Sequence, residues 1–176
     1  MHNESLNGIA KYTLLLAQQI QNEVPRIALP PEDGLIPKSE KVIPFSLVRG
    51  TRGYIEKVVN QVNGCYENGC YDGCSVMVRR LIETLIIETF EYHGKSKEIQ
   101  NSEGEFFYLN NLIDKILSES SWNLGRNAKP ALKRLKNIGD QSAHNRRFIA
   151  HRNDIDKYVE DLRLIVQELI FLAELQ

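Results

Sequence analysis

The sequence predicts an all-α protein: a helical bundle with an extra N-terminal helix on a proline-rich arm. Three observations predict it. Apolar residues recur at intervals of three and four through most of the chain. Strand-like alternation is confined to residues 42–48, where Pro44 opposes it. Five of the six prolines, Pro25, Pro30, Pro31, Pro37 and Pro44, crowd into one stretch outside the periodic segments. A chain of 176 residues, 42% of them hydrophobic, can bury a core without disulfides or metals.

The elements follow in order. Residues 5–22 form a first helix, with Ile9, Tyr12, Leu16 and Ile20 at helical spacing. The prolines then impose a non-helical arm, because each lacks a backbone donor and restricts its predecessor to extended geometry. Residues 51–66 are helical, with Ile55, Val58, Val59 and Val62 on one face and Asn68-Gly69 as the stop. The next helix runs from an Asp72 N-cap to a Gly94 terminator, around Val76, Met77, Leu81, Leu85, Ile86 and Phe90. After a polar loop at 95–104, residues 106–118 carry Phe107, Leu109, Leu112, Ile113, Ile116 and Leu117. A loop around Trp122 leads to a helix from Asn127 to Gly139, with Pro130 tolerated in its first turn. The last helix, 154–174, has a stripe from Ile155 through Ile165 to Ala173. The expected divisions are 1–24 for the first helix, 25–50 for the arm and 51–176 for the bundle.

Composition limits the function classes. Net charge is −1 and charged residues make up 26%, so there is no global pull toward nucleic acid or membrane. Apolar stretches are broken by Glu83, Glu88, Arg163 and Glu168, which argues against a membrane span. The N-terminus lacks a signal-peptide pattern, and the cysteines are odd in number, so the expected compartment is the reducing cytoplasm. Cys65, Cys70 and Cys74 with His93 offer four metal ligands but no paired knuckle, so the cysteines read as packing residues, with no metal expected. Gly64, Gly69 and Gly73 do not have phosphate-loop spacing, and no cofactor is expected.

Local charge is more informative. Between positions 126 and 152 stand Arg126, Lys129, Lys133, Arg134, Lys136, Arg146, Arg147 and Arg152, opposed only by Asp140. That segment carries +7 and leaves −8 for the rest of the chain. Such asymmetry is the footprint of a polyanion partner, and the alternative is a solvated basic face. Lys129, Lys133 and Lys136 share a helix face, and His144 and His151 lie in the same segment.

Two motifs carry a resemblance. The helix containing Gly73, Cys74, Arg80 and Glu83 is followed by the string Lys136-Asn137-Ile138-Gly139-Asp140-Gln141-Ser142-Ala143-His144. Together they resemble an uncharacterised bacterial family of the HEPN-like superfamily, over residues 51–175. Its pattern reads Arg-x-x-Gly-Asn-x-x-Ala-His, and here Gly139, Ala143 and His144 match. Lys136 replaces the arginine and Asp140 the asparagine. The resemblance implies an up-and-down helical bundle, homodimerisation, and membership of toxin, phage-defence or RNA-processing systems. An antitoxin or defence-system protein is the implied partner.

Some HEPN-like domains are metal-independent ribonucleases with Arg, four to six residues, then His. Arg146 to His151 has that spacing, whereas Lys136 to His144 does not. Histidine titrates near neutrality and suits abstraction of a 2′-hydroxyl proton. Arginine presents a planar fork to phosphate oxygens. Candidate catalytic residues are therefore His144, His151, Arg146 and Arg147. Candidate nucleic-acid contacts are Lys129, Lys133, Arg134, Lys136 and Arg152. Arg80 and Glu83 are expected to pair along their helix, or Arg80 to reach the turn at Gly139 and Asp140; these four are structural. The degraded spacing favours a binding module over an active nuclease. A protein-interaction domain without a nucleic-acid role is the third reading.

Overall fold

The computed structural model describes residues 11–13, 15–16, 40–135, 147 and 149–176. The chain divides into two compact units, Met1–Leu35 and Ile36–Gln176. In the first, residues 11–13 and 15–16 are helical, within the span expected of the first helix. The second is a bundle of α1 (Gly53–Glu67), α2 (Tyr71–Tyr92), α3 (Leu109–Ser118), α4 (residues 128–135), α5 (Arg152–Asp156) and α6 (Val159–Leu172). Among the described residues there is no strand, only one antiparallel bridge between Gln100 and Phe106.

Helix α2 is the hub. It packs against α1, α3, α5 and α6. Leu81, Ile82, Leu85, Ile86, Thr89 and Phe90 are all buried. Gly94, at φ 69°, ends it, with Lys95 N–H donating to Phe90 C=O at 2.8 Å. Only glycine adopts that left-handed geometry without a Cβ penalty. The helix start differs from expectation. It begins at Tyr71, and Asp72 is not the cap; its carboxylate instead accepts the Ala150 N–H at 3.1 Å. A distant orphan amide outcompeted the local ones.

Glu83 likewise does not pair with Arg80. It takes Arg79 at 3.3 Å, one full turn away, and accepts the Leu109 N–H at 3.2 Å, which caps the start of α3. Arg80 points to solvent. α3 starts three residues later than its apolar pattern suggests. Asn101 Oδ1 accepts the amides of Glu103 and Glu105, and this turn holds Phe106 opposite Gln100. The expected single last helix is two. Tyr158 N–H bonds to Ile155 C=O at 3.0 Å, a tightened turn, and Tyr158 has φ −119°. Its ring is buried, and its hydroxyl lies 3.3 Å from Ser75 Oγ. Burying that ring against α2 takes precedence over helix continuity.

Residues 42–48 are not a strand. Val42, Ile43 and Val48 are buried, and Phe45–Leu47 is a 3-10 turn after Pro44. Asn63, on the buried face of α1, replaces the ladder. Its Oδ1 accepts from Val42 N–H at 3.1 Å and Ile43 N–H at 3.0 Å, and its Nδ2 donates to Ile43 C=O at 2.9 Å. Arg163 in α6 donates to the carbonyls of Lys41 and Val42, and Gln176 to those of Leu47 and Arg49. Glu88, buried in α2, accepts the Tyr54 hydroxyl and pairs with Arg52 at 3.1 Å, and burial raises its carboxyl pKa.

Lys95, just past α2, joins Glu119 at 2.6 Å and Ser121 at 2.8 Å in the segment between α3 and α4. The lysine, with help from the Ser121 amide, holds the Glu119 carboxyl down to about 2, from an ordinary 4.5. A depressed carboxylate stabilises the fold above its unfolded value and stops doing so as pH falls through the folded one. Glu119→Gln is therefore expected to flatten the loss of stability between pH 4.5 and 2. Urea midpoints measured across that range read this directly, and curves parallel to wild type would refute it.

Candidate nucleic-acid interface

The basic segment begins at Arg126, in the turn before α4, and runs through that helix. Ala128, Ala131, Leu132 and Leu135 face the core, so the intervening positions point outward. Arg126, Lys129 and Lys133 are exposed there, and no carboxylate among the described residues pairs with them. They follow one another at three- and four-residue steps along one face. Arg134 is also outward, but its fork is occupied. Nε and Nη2 reach the two oxygens of Asp161 on α6, at 2.5 and 2.7 Å. This pair holds the Asp161 carboxyl below its usual range and raises Arg134.

Lys136, Gly139, Asp140, His144 and Arg146 lie outside the described residues. The chain is described again at Arg147, which is exposed, and from Ile149 onward. His151 is exposed at the N-cap of α5. Its N–H donates to Asp154 Oδ2 at 3.0 Å, half of a capping box that keeps the Asp154 carboxyl below its ordinary value. Lys157 also reaches Asp154, at 3.1 Å. His151 is thus fixed at the N-cap and remains exposed.

Arg152 is engaged differently. Its Nε donates to Tyr66 Oη at 3.0 Å, and its guanidinium lies 5.2 Å from the centre of the Tyr66 ring. Tyr66 in turn donates to Asp156 Oδ1 at 2.5 Å. Burial and the Asp156 carboxylate raise the Tyr66 phenol. Tyr71 meets Tyr66 edge to face at 5.8 Å. With the Asp72 bond to Ala150, this cluster seats residues 150–156 on the α1–α2 corner.

Of the expected phosphate contacts, then, Lys129 and Lys133 stand open, while Arg134 and Arg152 are tied to carboxylate and phenol. Asp161, Tyr66 and Asp156 set this division and were not identified from sequence. Tyr66 did leave a signal, because it continues the α1 stripe of Ile55, Val59 and Val62. Among the described residues no group of His, Cys, Asp and Glu is arranged to hold a metal ion, and no helix is long and apolar enough to cross a membrane.

The fold and this surface define an all-α bundle domain with a basic flank. A family model for a domain of unknown function, DUF4145, matches residues 60–176, and the chain belongs to that family. No curated protein and no solved structure matches the chain.

Proposed function

We propose that this protein is a nucleic-acid-associated module of the HEPN-like kind that binds without cleaving. The observation that carries the reading is the open basic face of α4 and the turn before it, where Arg126, Lys129 and Lys133 are exposed without carboxylate partners among the described residues. A single-sign face on a chain of net charge −1 attracts phosphate locally. The resemblance of residues 51–175 to HEPN-like domains supports a homodimer serving a defence, toxin or stress system. A second reading, a metal-independent ribonuclease, rests on His151, an exposed residue at a fixed backbone position next to Arg152.

One assay tests both. Labelled RNA and DNA are titrated at two salt concentrations with EDTA present. Phosphate contacts release counterions, so affinity must fall steeply with salt. Lys129→Glu with Lys133→Glu is expected to lower the slope of log affinity against log salt by about two, one per lysine. Affinity that ignores salt would overturn the binding module. RNA products with 2′,3′-cyclic phosphate ends, lost in His151→Ala, would replace it with the nuclease.

A further inference from the structure

The three cysteines gather at the α1–α2 corner, where Cys65 interacts electrostatically with both Cys70 and Cys74. α1 closes with Cys70 N–H donating to Cys65 C=O at 2.8 Å and Gly69 N–H to Tyr66 C=O at 3.2 Å. Gly69 takes φ 73°. This double bond is a Schellman stop, which brings the side chain two residues past the cap against the one three residues inside the helix end. Here those side chains are Cys70 and Cys65. Standard bond lengths and that hydrogen bond cap their Cα separation at about 6.7 Å. Disulfides span about 4.4–6.8 Å. A Cβ placed on Gly73 would sit 3.4 Å from Cys65 Sγ and 3.8 Å from Cys70 Cβ, so both side chains border one small space. Cys70 is exposed, Cys65 half-buried and Cys74 buried.

We propose that Cys65 and Cys70 form a reversible disulfide on exposure to hydroperoxide. The exposed Cys70 thiolate attacks one peroxide oxygen; the S–O bond forms as the O–O bond breaks, and the departing hydroxide takes a proton to become water. Cys65 sulfur then attacks Cys70 sulfur. The S–S bond forms, the S–O bond breaks, and the Cys65 proton leaves with the hydroxide as a second water. In sum, two thiols and one hydrogen peroxide give a disulfide and two waters. The sulfurs are oxidised, the peroxide is reduced, and a thiol reductant reverses the step. Cys74 stays out, since burial pushes its thiol up to about 12 and leaves it un-ionised. The pair is independent of the nucleic-acid reading, but it is built into the corner on which Tyr66 and Asp72 seat residues 150–156.

The full-length protein is treated with hydrogen peroxide, alkylated, and digested without reduction by a protease cutting after acidic residues. Cuts after Glu67 and Asp72 place the three cysteines on separate peptides. The expected product is a Cys65–Cys70 linked peptide, about 2 Da lighter than the two free peptides together, reverting with dithiothreitol. Cys65→Ser is expected to leave Cys70 as a sulfenic acid trapped by dimedone, and Cys70→Ser to block oxidation at Cys65. A linkage through Cys74, a disulfide between two chains, or equal oxidation of Cys65 in Cys70→Ser would overturn the proposal.

Discussion

Asn63→Ala is expected to destabilise the bundle by about 4 kcal/mol, because it orphans three buried backbone groups at once, each worth about 1–3 kcal/mol. The amides of Val42 and Ile43 and the carbonyl of Ile43 have Asn63 as their side-chain partner, inside a region where Val42 and Ile43 are fully buried. Alanine supplies neither acceptor nor donor, and water has no open route to a fully buried segment. The lost amide volume adds a cavity term. Urea unfolding should show a lower midpoint at unchanged slope. A shift below about 1 kcal/mol would mean that these groups are served elsewhere.

Trp122 is the second position of large effect, and its two substitutions should differ sharply. Its ring meets Phe90 edge to face at 5.1 Å and lies 4.4 Å from His93, with Lys95 Nζ 5.2 Å above. Trp122→Ala removes this packing and is expected to cost about 3–5 kcal/mol. The indole Nε1 is buried, and among the described residues no acceptor replaces the hydrogen bond to water that it loses on folding. Trp122→Phe removes that unsatisfied donor and keeps an aromatic surface against Phe90. It is therefore expected to cost under about 1.5 kcal/mol, the range of a tolerated core swap. Equal losses in the two variants would show that the indole finds a partner.

What the sequence made legible is what local periodicity governs. The α1 stripe and the Gly94 stop need no knowledge of the rest of the chain. The last stripe was also legible, but not its interruption at Tyr158, because the interruption comes from a ring buried against Ser75, 83 residues away. Asp72 and Glu83 illustrate the same limit. Each has a plausible neighbour in sequence and is used instead by a distant backbone amide. Asn63 did leave a trace: a polar residue in phase with Ile55, Val59 and Val62. A polar side chain on a buried face implies that some backbone needs it. At the candidate interface, charge density was legible and charge availability was not. Arg134 and Lys133 are adjacent cations in sequence, yet among the described residues only Arg134 pairs with a carboxylate, Asp161 on α6.

The contacts of Arg163 and Gln176 with residues 41–49 also dictate an order of events. The turn at Phe45–Leu47 opens this unit of the chain, yet two of the side chains that fasten it belong to residues some 120 positions later. During synthesis from the N-terminus, α1 and α2 can pair early through the short corner between them. The segment from 40 to 50 must wait, its apolar Val42, Ile43 and Val48 covered on only one side, until α6 has emerged. High sequence separation slows closure because a long loop must be brought together first. A nascent chain stalled before α6 would thus expose a sticky, half-clasped edge of the kind chaperones capture, whereas the chain carried through Gln176 closes its own seam.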